Sequence, residues 1–360
     1  MLRAYALAGC FVATVLAGDT PPMADFKPWS ARAAGAYLDY RLAWWIDWPH
    51  AARDHDTFCV SCHTVVPYVI ARTNLRGRRL EDVPSSLEET ILESVTKRVQ
   101  MWEVVDPFYS GVHTRESRGT EAVLNALILV AYDHPSGSLS SRTRLALDHM
   151  WAEQLRTGAD AGAWPWLQFK LAPWEGDSEY YGATLAAIAV GSAPNSYRSS
   201  AEIQGRMELL REYLLRDYRS QILMDRIMLL WASSKLPELL TPAEQSAIIQ
   251  ETLGTQQSDG GFSLSSFVGA WQRQDHTSLD NRSDGYATGL VTFVLQESGV
   301  PRDQPQLRRG LAWLMKNQDR EGRWFAYSLN KERNLYSNVG RFMSDAATAY
   351  AMLALERASR

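Results

Sequence analysis

Two cysteines and a histidine lie within one short stretch of the chain, Cys59-Val60-Ser61-Cys62-His63. Thiols at this spacing can each add to one vinyl group of a porphyrin, and an imidazole beside the second thiol can then bind the iron. The spacing therefore predicts a covalently bound haem c, with Cys59 and Cys62 as its anchors. In this prediction His63 is the proximal ligand of the haem iron.

These residues resemble the haem attachment motif of c-type cytochromes, and the resemblance extends no further along the chain. Two other uses of the cysteine pair compete with haem. A redox-active dithiol is typical of a thioredoxin-like βαβ unit, and no such pattern surrounds the pair. A zinc site needs a second pair of ligands, for which His55 and His63 are the nearest histidines and no further cysteine is close. Haem attachment is therefore the favoured interpretation.

The sixth position of the iron has several candidates in the sequence. Met101 and His113 are the nearest ones downstream, and His55 lies just upstream. A methionine on an amphipathic helix is usually a core residue, and a histidine in a polar loop is usually solvated. A filled sixth position favours electron transfer, whereas an open one favours chemistry on small molecules or peroxide.

The composition restricts the class of protein. The chain has 360 residues, 46% of them hydrophobic and 22% charged, with a net charge of −4. This composition is typical of a folded globular protein. A nucleic-acid-binding protein needs a basic surface, which this charge balance does not predict. Cys10 is the third and last cysteine, so a small disulfide-stapled fold is excluded as well.

Residues 1–18 have the pattern of a secretory signal peptide. Arg3 supplies the cationic start, and the apolar stretch Ala4–Leu16 is too short to span a membrane. The residues before Cys10 also match a bacterial lipobox, so a lipid anchor through Cys10 stays open. The sequence thus predicts export, most simply to a bacterial periplasm, and no transmembrane span in the mature chain.

The elements that must position the motif are helical in pattern. After a segment at 19–84, residues 85–360 alternate between amphipathic, charged stretches and small, apolar, nearly uncharged ones. A helix that is apolar on all sides is buried, whereas a charged face indicates the surface. The outer stretches are Leu87–Glu103, Ser141–Leu155, Ile203–Arg216, Pro242–Leu253 and Gln304–Lys316. The inner stretches are Ala122–Ala131, Tyr180–Val190, Arg226–Ser233, Gly285–Leu295 and Ala346–Leu355.

A sixth pair comes from the N-terminal segment, where Ala31–Trp45 precedes the motif and Val65–Arg72 follows it. Repeated helical hairpins with a buried inner layer form solenoids or closed rings. The sequence therefore predicts an all-α fold, an (α/α)6 toroid in which 19–84 and 85–360 form one compact unit.

The turns from outer to inner stretches carry a repeated element, a glutamine followed by a glycine and an aromatic residue. Its copies are Gln318-Gly322-Trp324, Gln256-Gly260-Phe262 and, in stretched form, Gln154 with Trp164. This element resembles the QW motif of terpene cyclases, and residues 85–358 resemble the squalene–hopene cyclase and prenyltransferase superfamily. The resemblance implies a toroid whose central cavity takes an apolar, isoprenoid-like or lipid-like molecule.

The catalytic groups of that superfamily are not carried over. The chain has no Asp-x-Asp-Asp motif, and the prenyltransferase zinc site needs a cysteine that this chain commits to the haem motif. Each of the five inner stretches after residue 85 nevertheless begins near an acid, namely Glu121, Glu179, Asp225, Asp284 and Asp345. Acids at helix N-termini are usually caps. The functional alternative is that Asp284 and Asp345 face the cavity as catalytic proton donors or relays.

Three functions fit these patterns. The favoured one is an exported haem oxidoreductase that acts on a hydrophobic, isoprenoid-like molecule. The second is an electron-transfer or sensing cytochrome, in which the toroid is a scaffold for a redox partner protein. The third is a non-redox cyclase or isomerase that uses Asp284 and Asp345.

Overall fold

A computed structural model describes residues 29–76, 83–175 and 178–359. The predicted signal peptide and the lipobox at Cys10 lie outside the described residues. Where the chain is described it is helical, apart from a short antiparallel hairpin of β1 (Ala52–Arg53) and β2 (Thr57–Phe58). The predicted all-α class is therefore confirmed.

The helices of the described residues form six pairs, each with an outer and an inner member. The outer helices are α1 (Ala31–Asp47), α3 (Ser86–Gln100), α5 (Ser141–Glu153), α8 (Ala201–Arg216), α10 (Pro242–Gly254) and α12 (Pro305–Lys316). The inner helices are α2 (Val65–Leu75), α4 (Thr114–Asp133), α6 (Ser178–Ser192), α9 (Leu223–Lys235), α11 (Gly285–Glu297) and α13 (Phe342–Ala358). The short helix α7 (Asn195–Arg198) precedes α8.

The inner helices form a closed ring. Each contacts the next along the chain, and α13 contacts α2 to complete the circle. The outer helix α1 packs against α13, α2 and α3. The motif-bearing N-terminal segment is thus built into the ring, and the predicted toroid of helical pairs is confirmed.

Small residues allow the inner helices to approach closely. On α11, a Cβ atom added to Gly289 would lie 2.7 Å from the backbone nitrogen of Ala351 on α13. Any larger residue at this position would push the two helices apart, because real side-chain carbons do not approach backbone atoms so closely. The apolar character of the inner stretches therefore reflects tight helix–helix packing.

The glutamines of the repeated turns tie neighbouring outer helices together. The Gln318 side-chain amide donates to the carbonyl of Gly322 in its own turn at 2.9 Å and to the carbonyl of Ser30 at 3.0 Å. Because Ser30 caps α1, this bond closes the outer layer between the last and first pairs. The equivalent bonds run from Gln154 to Gly162 and Arg206, and from Gln256 to Gly260 and Gln306.

Of the inner helices, α4 begins furthest ahead of its apolar pattern. The inner stretch was expected from Ala122, whereas α4 starts at Thr114. Glu121 therefore lies inside the helix and not at its N-terminus. The first two turns of α4 are polar in sequence. Within them, Glu121 is buried against Arg98 of α3.

Aromatic side chains fill much of the ring interior. Trp231 packs edge-to-face on Phe293 and on Tyr350, and Tyr350 packs edge-to-face on Tyr286. A cavity of about 70 Å³ lies toward the C-terminal ends of the inner helices, beside Trp231, Phe293 and Leu127. Over the described ranges, no helix is both long and apolar enough for a membrane span.

Candidate functional site

The backbone of the cysteine motif is fixed from both sides. The Cys59 amide donates to the carbonyl of Ala51 at 2.8 Å, and the Cys59 carbonyl accepts a 2.8 Å bond from the Trp45 indole. The Ser61 hydroxyl accepts from the amides of Thr64 and Val65, where α2 begins. The motif therefore forms a defined turn between the hairpin and α2.

The two thiols and the imidazole of the motif are less buried than the residues that separate the cysteines. Cys59 and Cys62 are free thiols with half-buried side chains, and His63 is half-buried as well. Val60 and Ser61, which separate the two cysteines, are buried. The turn thus presents both sulfurs and the imidazole together while its other residues enter the core.

Aromatic rings enclose the His63 imidazole. Phe342 stacks on it with ring centres 4.0 Å apart and planes inclined by 23°, and Trp45 meets it edge-on at 5.1 Å. Burial, together with the positive charge of Arg41, lowers the pKa of His63 to about 3. A neutral imidazole is the form that binds iron, because one ring nitrogen then keeps its lone pair.

A chain of hydrogen bonds leads from His63 into the protein. The Nδ1 atom of His63 lies 2.9 Å from the hydroxyl of Thr64, and that hydroxyl donates at 2.9 Å to Asp345 on α13. Asp345 also accepts from the Tyr37 hydroxyl at 2.9 Å. Arg41 completes the set with bonds of 2.7 and 3.1 Å to the two carboxylate oxygens.

Asp345 is therefore enclosed on every side. Arg41 and Asp345 both have fully buried side chains. Burial raises the pKa of Asp345, while Arg41, Thr64 and Tyr37 oppose that rise. Its proposed part as a proton donor stays a prediction, and its contacts here are those of a fixed acceptor.

A second buried pair holds the hairpin on the other side of the motif. Arg98 on α3 binds Glu121 on α4 at 2.5 and 3.1 Å, and neither side chain is exposed. The same guanidinium donates to Thr57 at 2.9 Å and to Asp54 at 3.0 Å. It thereby fastens the β1–β2 hairpin to the ring.

The surroundings of the thiols disfavour their charged form. Burial raises the pKa of Cys59 to about 11 and, together with the charge of Cys59, that of Cys62 to about 12. Burial also raises the pKa of Tyr181, Tyr286 and Tyr350, and Cys62 adds to the rise in each. The bond from Thr64, at the start of α2, to Asp345, in the first turn of α13, places the motif at the mouth of the ring that the N-terminal ends of the inner helices form.

The candidates for a sixth ligand are separated. Met101 caps the C-terminus of α3 with a half-buried side chain. His113 packs edge-on against Phe169 at 5.2 Å, and Phe169 in turn meets Tyr109 at 4.9 Å. Burial and the charges of both motif cysteines raise the pKa of Tyr109. Among the described residues, no hydrogen bond, ion pair or ring contact joins Met101 to the motif.

Asp284 is the N-cap of α11. One carboxylate oxygen accepts 2.9 Å bonds from the amides of Tyr286 and Ala287, and the other accepts from Leu264 at 2.7 Å. Burial raises its pKa to about 7 despite these three donors. The capping role that serine- and acid-led helix starts predict is therefore seen here, and a catalytic role for Asp284 stays a prediction.

Several residues of the site carry no signal in the sequence. Thr64 follows the motif directly, but a threonine after a histidine is unremarkable by type. Arg41 and Arg98 lie on amphipathic outer helices, where arginine is ordinarily a surface residue. What could have drawn attention to them is their position: each occurs on a helix face that is otherwise apolar, next to Leu38, Leu42 and Val95.

No family model matches the chain, and no curated protein matches it. Among solved structures, a glycosidase in complex with glucose is similar at 12% identity and a TM-score of 0.39. That alignment covers 91% of this chain and 86% of the glycosidase chain.

Proposed function

We propose that this chain is an exported c-type haem protein, with haem bound through Cys59 and Cys62 and with His63 as the proximal iron ligand. The observation that carries the proposal is the burial pattern of the motif: both free thiols and the imidazole are half-buried and lie together, while Val60 and Ser61 between the thiols are buried. Two thiols and a neutral imidazole are the donor set that haem c requires.

A haem in this place supplies a one-electron redox couple beside the mouth of the ring. The surrounding residues of the chain hold the motif in position. Trp45 and Phe342 pack against the imidazole, and the Trp45 indole also donates to the Cys59 carbonyl. Thr64 engages Nδ1 of His63, and among the described residues no hydrogen bond engages its Nε2.

Electron transfer is the redox activity that the ring interior favours. Trp231, Phe293 and Tyr350 occupy that interior, and the cavity beside the first two measures about 70 Å³, well below the size of an ordinary small-molecule pocket. Trp44 and Trp48 stack at 5.1 Å beside Trp45 and are half-buried. They extend the aromatic surroundings of His63 to the protein surface, where a redox partner protein can approach.

Redox chemistry on a hydrophobic molecule is the second candidate. The half-buried Trp44 and Trp48 offer apolar surface at the mouth of the ring, so an isoprenoid-like molecule would bind there and not deep in the interior. The resemblance to terpene cyclases supports this candidate only through the toroidal arrangement. A cyclase or isomerase activity is supported least, because Asp284 and Asp345 are both occupied by internal donors.

The test is native mass spectrometry of the full chain, produced in a bacterium that attaches haem c during export. We expect the mass of one haem in the wild type and in Cys10→Ala, and its loss in the double variant Cys59→Ala with Cys62→Ala. A haem-free wild type would overturn the proposal. The spectrum of the reduced protein with and without carbon monoxide then separates the candidates, since a sixth position closed to carbon monoxide supports electron transfer.

A further inference from the structure

The bond between His63 and Thr64 determines which imidazole nitrogen carries the proton. The Thr64 hydroxyl has a single proton, and it donates that proton to Asp345 at 2.9 Å. The buried guanidinium of Arg41, 2.7 Å from the Asp345 carboxylate, stabilises its ionised form, so Asp345 acts as an acceptor and has no proton to give back. In the 2.9 Å contact with Thr64, the Nδ1 atom of His63 must therefore be the donor.

A proton on Nδ1 leaves the lone pair of Nε2 free. In water the opposite tautomer of a neutral histidine side chain is the commoner one, so the protein has to impose this form. Imidazoles that bind metals usually donate their other N–H group to an oxygen, which fixes the ring and makes the ligating nitrogen more basic. The Thr64 hydroxyl occupies that place here.

The acceptor at the far end of the chain is held rigidly. Asp345 lies on α13, Thr64 at the start of α2, and Arg41 and Tyr37 on α1. Arg41 is itself bound by the side chain and carbonyl of Asn338 at 2.9 and 2.8 Å. Three helices thus fix the carboxylate, and the threonine hydroxyl has one direction in which to point.

We propose that Asp345, acting through Thr64, is a positioning residue that holds His63 in the Nδ1-protonated form and sets the electron density that its Nε2 offers to iron. The proposal rests on the proposed haem function. A carboxylate behind the imidazole favours the ferric state, because it stabilises the more positive ion. Removing the link should therefore raise the reduction potential.

Thr64→Val is the variant that tests the link. Valine matches threonine in shape and removes only the hydroxyl, whereas Asp345→Asn leaves Arg41 buried without its ion-pair partner and threatens folding. We expect Thr64→Val to shift the ferric–ferrous equilibrium about tenfold toward the ferrous form, which is about 59 mV for a one-electron couple. Thr64→Ser keeps the hydroxyl and should restore the wild-type potential.

Thr57→Val is the matched control. Thr57 is as buried as Thr64 and binds the guanidinium of the other ion pair, so its loss should leave the potential unchanged. Nitrogen NMR of labelled histidine in the same reduced proteins reports the Nδ1–H group directly. Equal potentials and an equal His63 signal in Thr64→Val and Thr57→Val would overturn the proposal.

The two proposals fail differently. If the mass spectrum of the wild type shows no haem, the haem function is wrong, and the NMR measurement on that haem-free protein still judges the link. An Nδ1-protonated His63 in the wild type that becomes Nε2-protonated in Thr64→Val would support the positioning role of Asp345. An Nε2-protonated His63 in both would refute it.

Discussion

Two buried ion pairs flank the cysteine motif, and they are built alike. In each, an arginine from an outer helix binds a carboxylate from an inner helix, and the guanidinium lies over an aromatic ring. Arg41 binds Asp345 and covers Trp44 at 4.6 Å, while Arg98 binds Glu121 and covers Phe108 at 4.5 Å.

The pairs differ in the group that contacts the neighbouring threonine. Thr64 donates to the acid of its pair and reaches His63 on its other side. Thr57 accepts from the arginine of its pair and donates to the carbonyl of Asp54. The same arrangement therefore orients a reactive side chain in one case and fastens a hairpin in the other.

The largest effect should come from breaking either pair. Asp345→Asn leaves the Arg41 guanidinium buried without a charged partner, so it should lower the free energy of unfolding by ~3–5 kcal/mol. Glu121→Gln should cost less, because Arg98 keeps Asp54 as a charged partner. Urea titration followed by circular dichroism measures this. The control is Glu208→Gln, which breaks the exposed pair with Arg211 and should cost under ~1 kcal/mol. A similarly small loss at Asp345 or Glu121 would show that the pair does not support the fold.

Asp284 shows what a buried acid does without an arginine. Because burial raises its pKa to about 7, the folded protein holds its proton between pH 4 and 7 and the unfolded chain does not. Stability from this group is therefore present at low pH and lost as pH rises through about 7. Relative to Asp284→Asn, the wild type should lose ~2 kcal/mol of unfolding free energy between pH 5 and pH 8. Parallel pH profiles of the two proteins would contradict this.

The smallest effect should separate the two threonines. Thr64→Val takes a donor from a buried carboxylate and the acceptor from His63, whereas after Thr57→Val the guanidinium of Arg98 still binds Asp54. We expect a loss of ~1–2 kcal/mol for Thr64→Val and under ~1 kcal/mol for Thr57→Val. Thermal unfolding of both variants under one set of conditions decides the order, and a reversed order would remove the distinction between the networks.

The helical pairs could be predicted from the sequence, because the spacing of apolar residues along each helix indicates which of its faces is buried. The start of α4 could not, since residues Thr114–Glu121 are polar. Glu121 is buried there by a bond to Arg98, 23 positions away. A local sequence pattern indicates where apolar residues are buried. It does not indicate that a charged residue is buried when that burial depends on a partner far away in the sequence.

In the candidate site, too, the sequence singles out residues whose chemistry is local and misses those that meet only in the folded chain. Cys59, Cys62 and His63 were predicted because their chemistry depends on spacing along the chain. The cap at Asp284 was predicted because capping is local. The link from Thr64 to Asp345 joins residues on opposite sides of the ring closure, and nothing in either neighbourhood specifies the other.

The contact between the first and last helical pairs, which closes the ring, also has a consequence for the order of folding. The contact between Thr64 and Asp345 joins residues 281 positions apart, and contacts of such separation form late because closing a long loop costs entropy. Until α13 docks, α1 and α2 lie at an open edge of the ring. The proposed attachment of haem to Cys59 and Cys62 is therefore expected to precede the docking of α13.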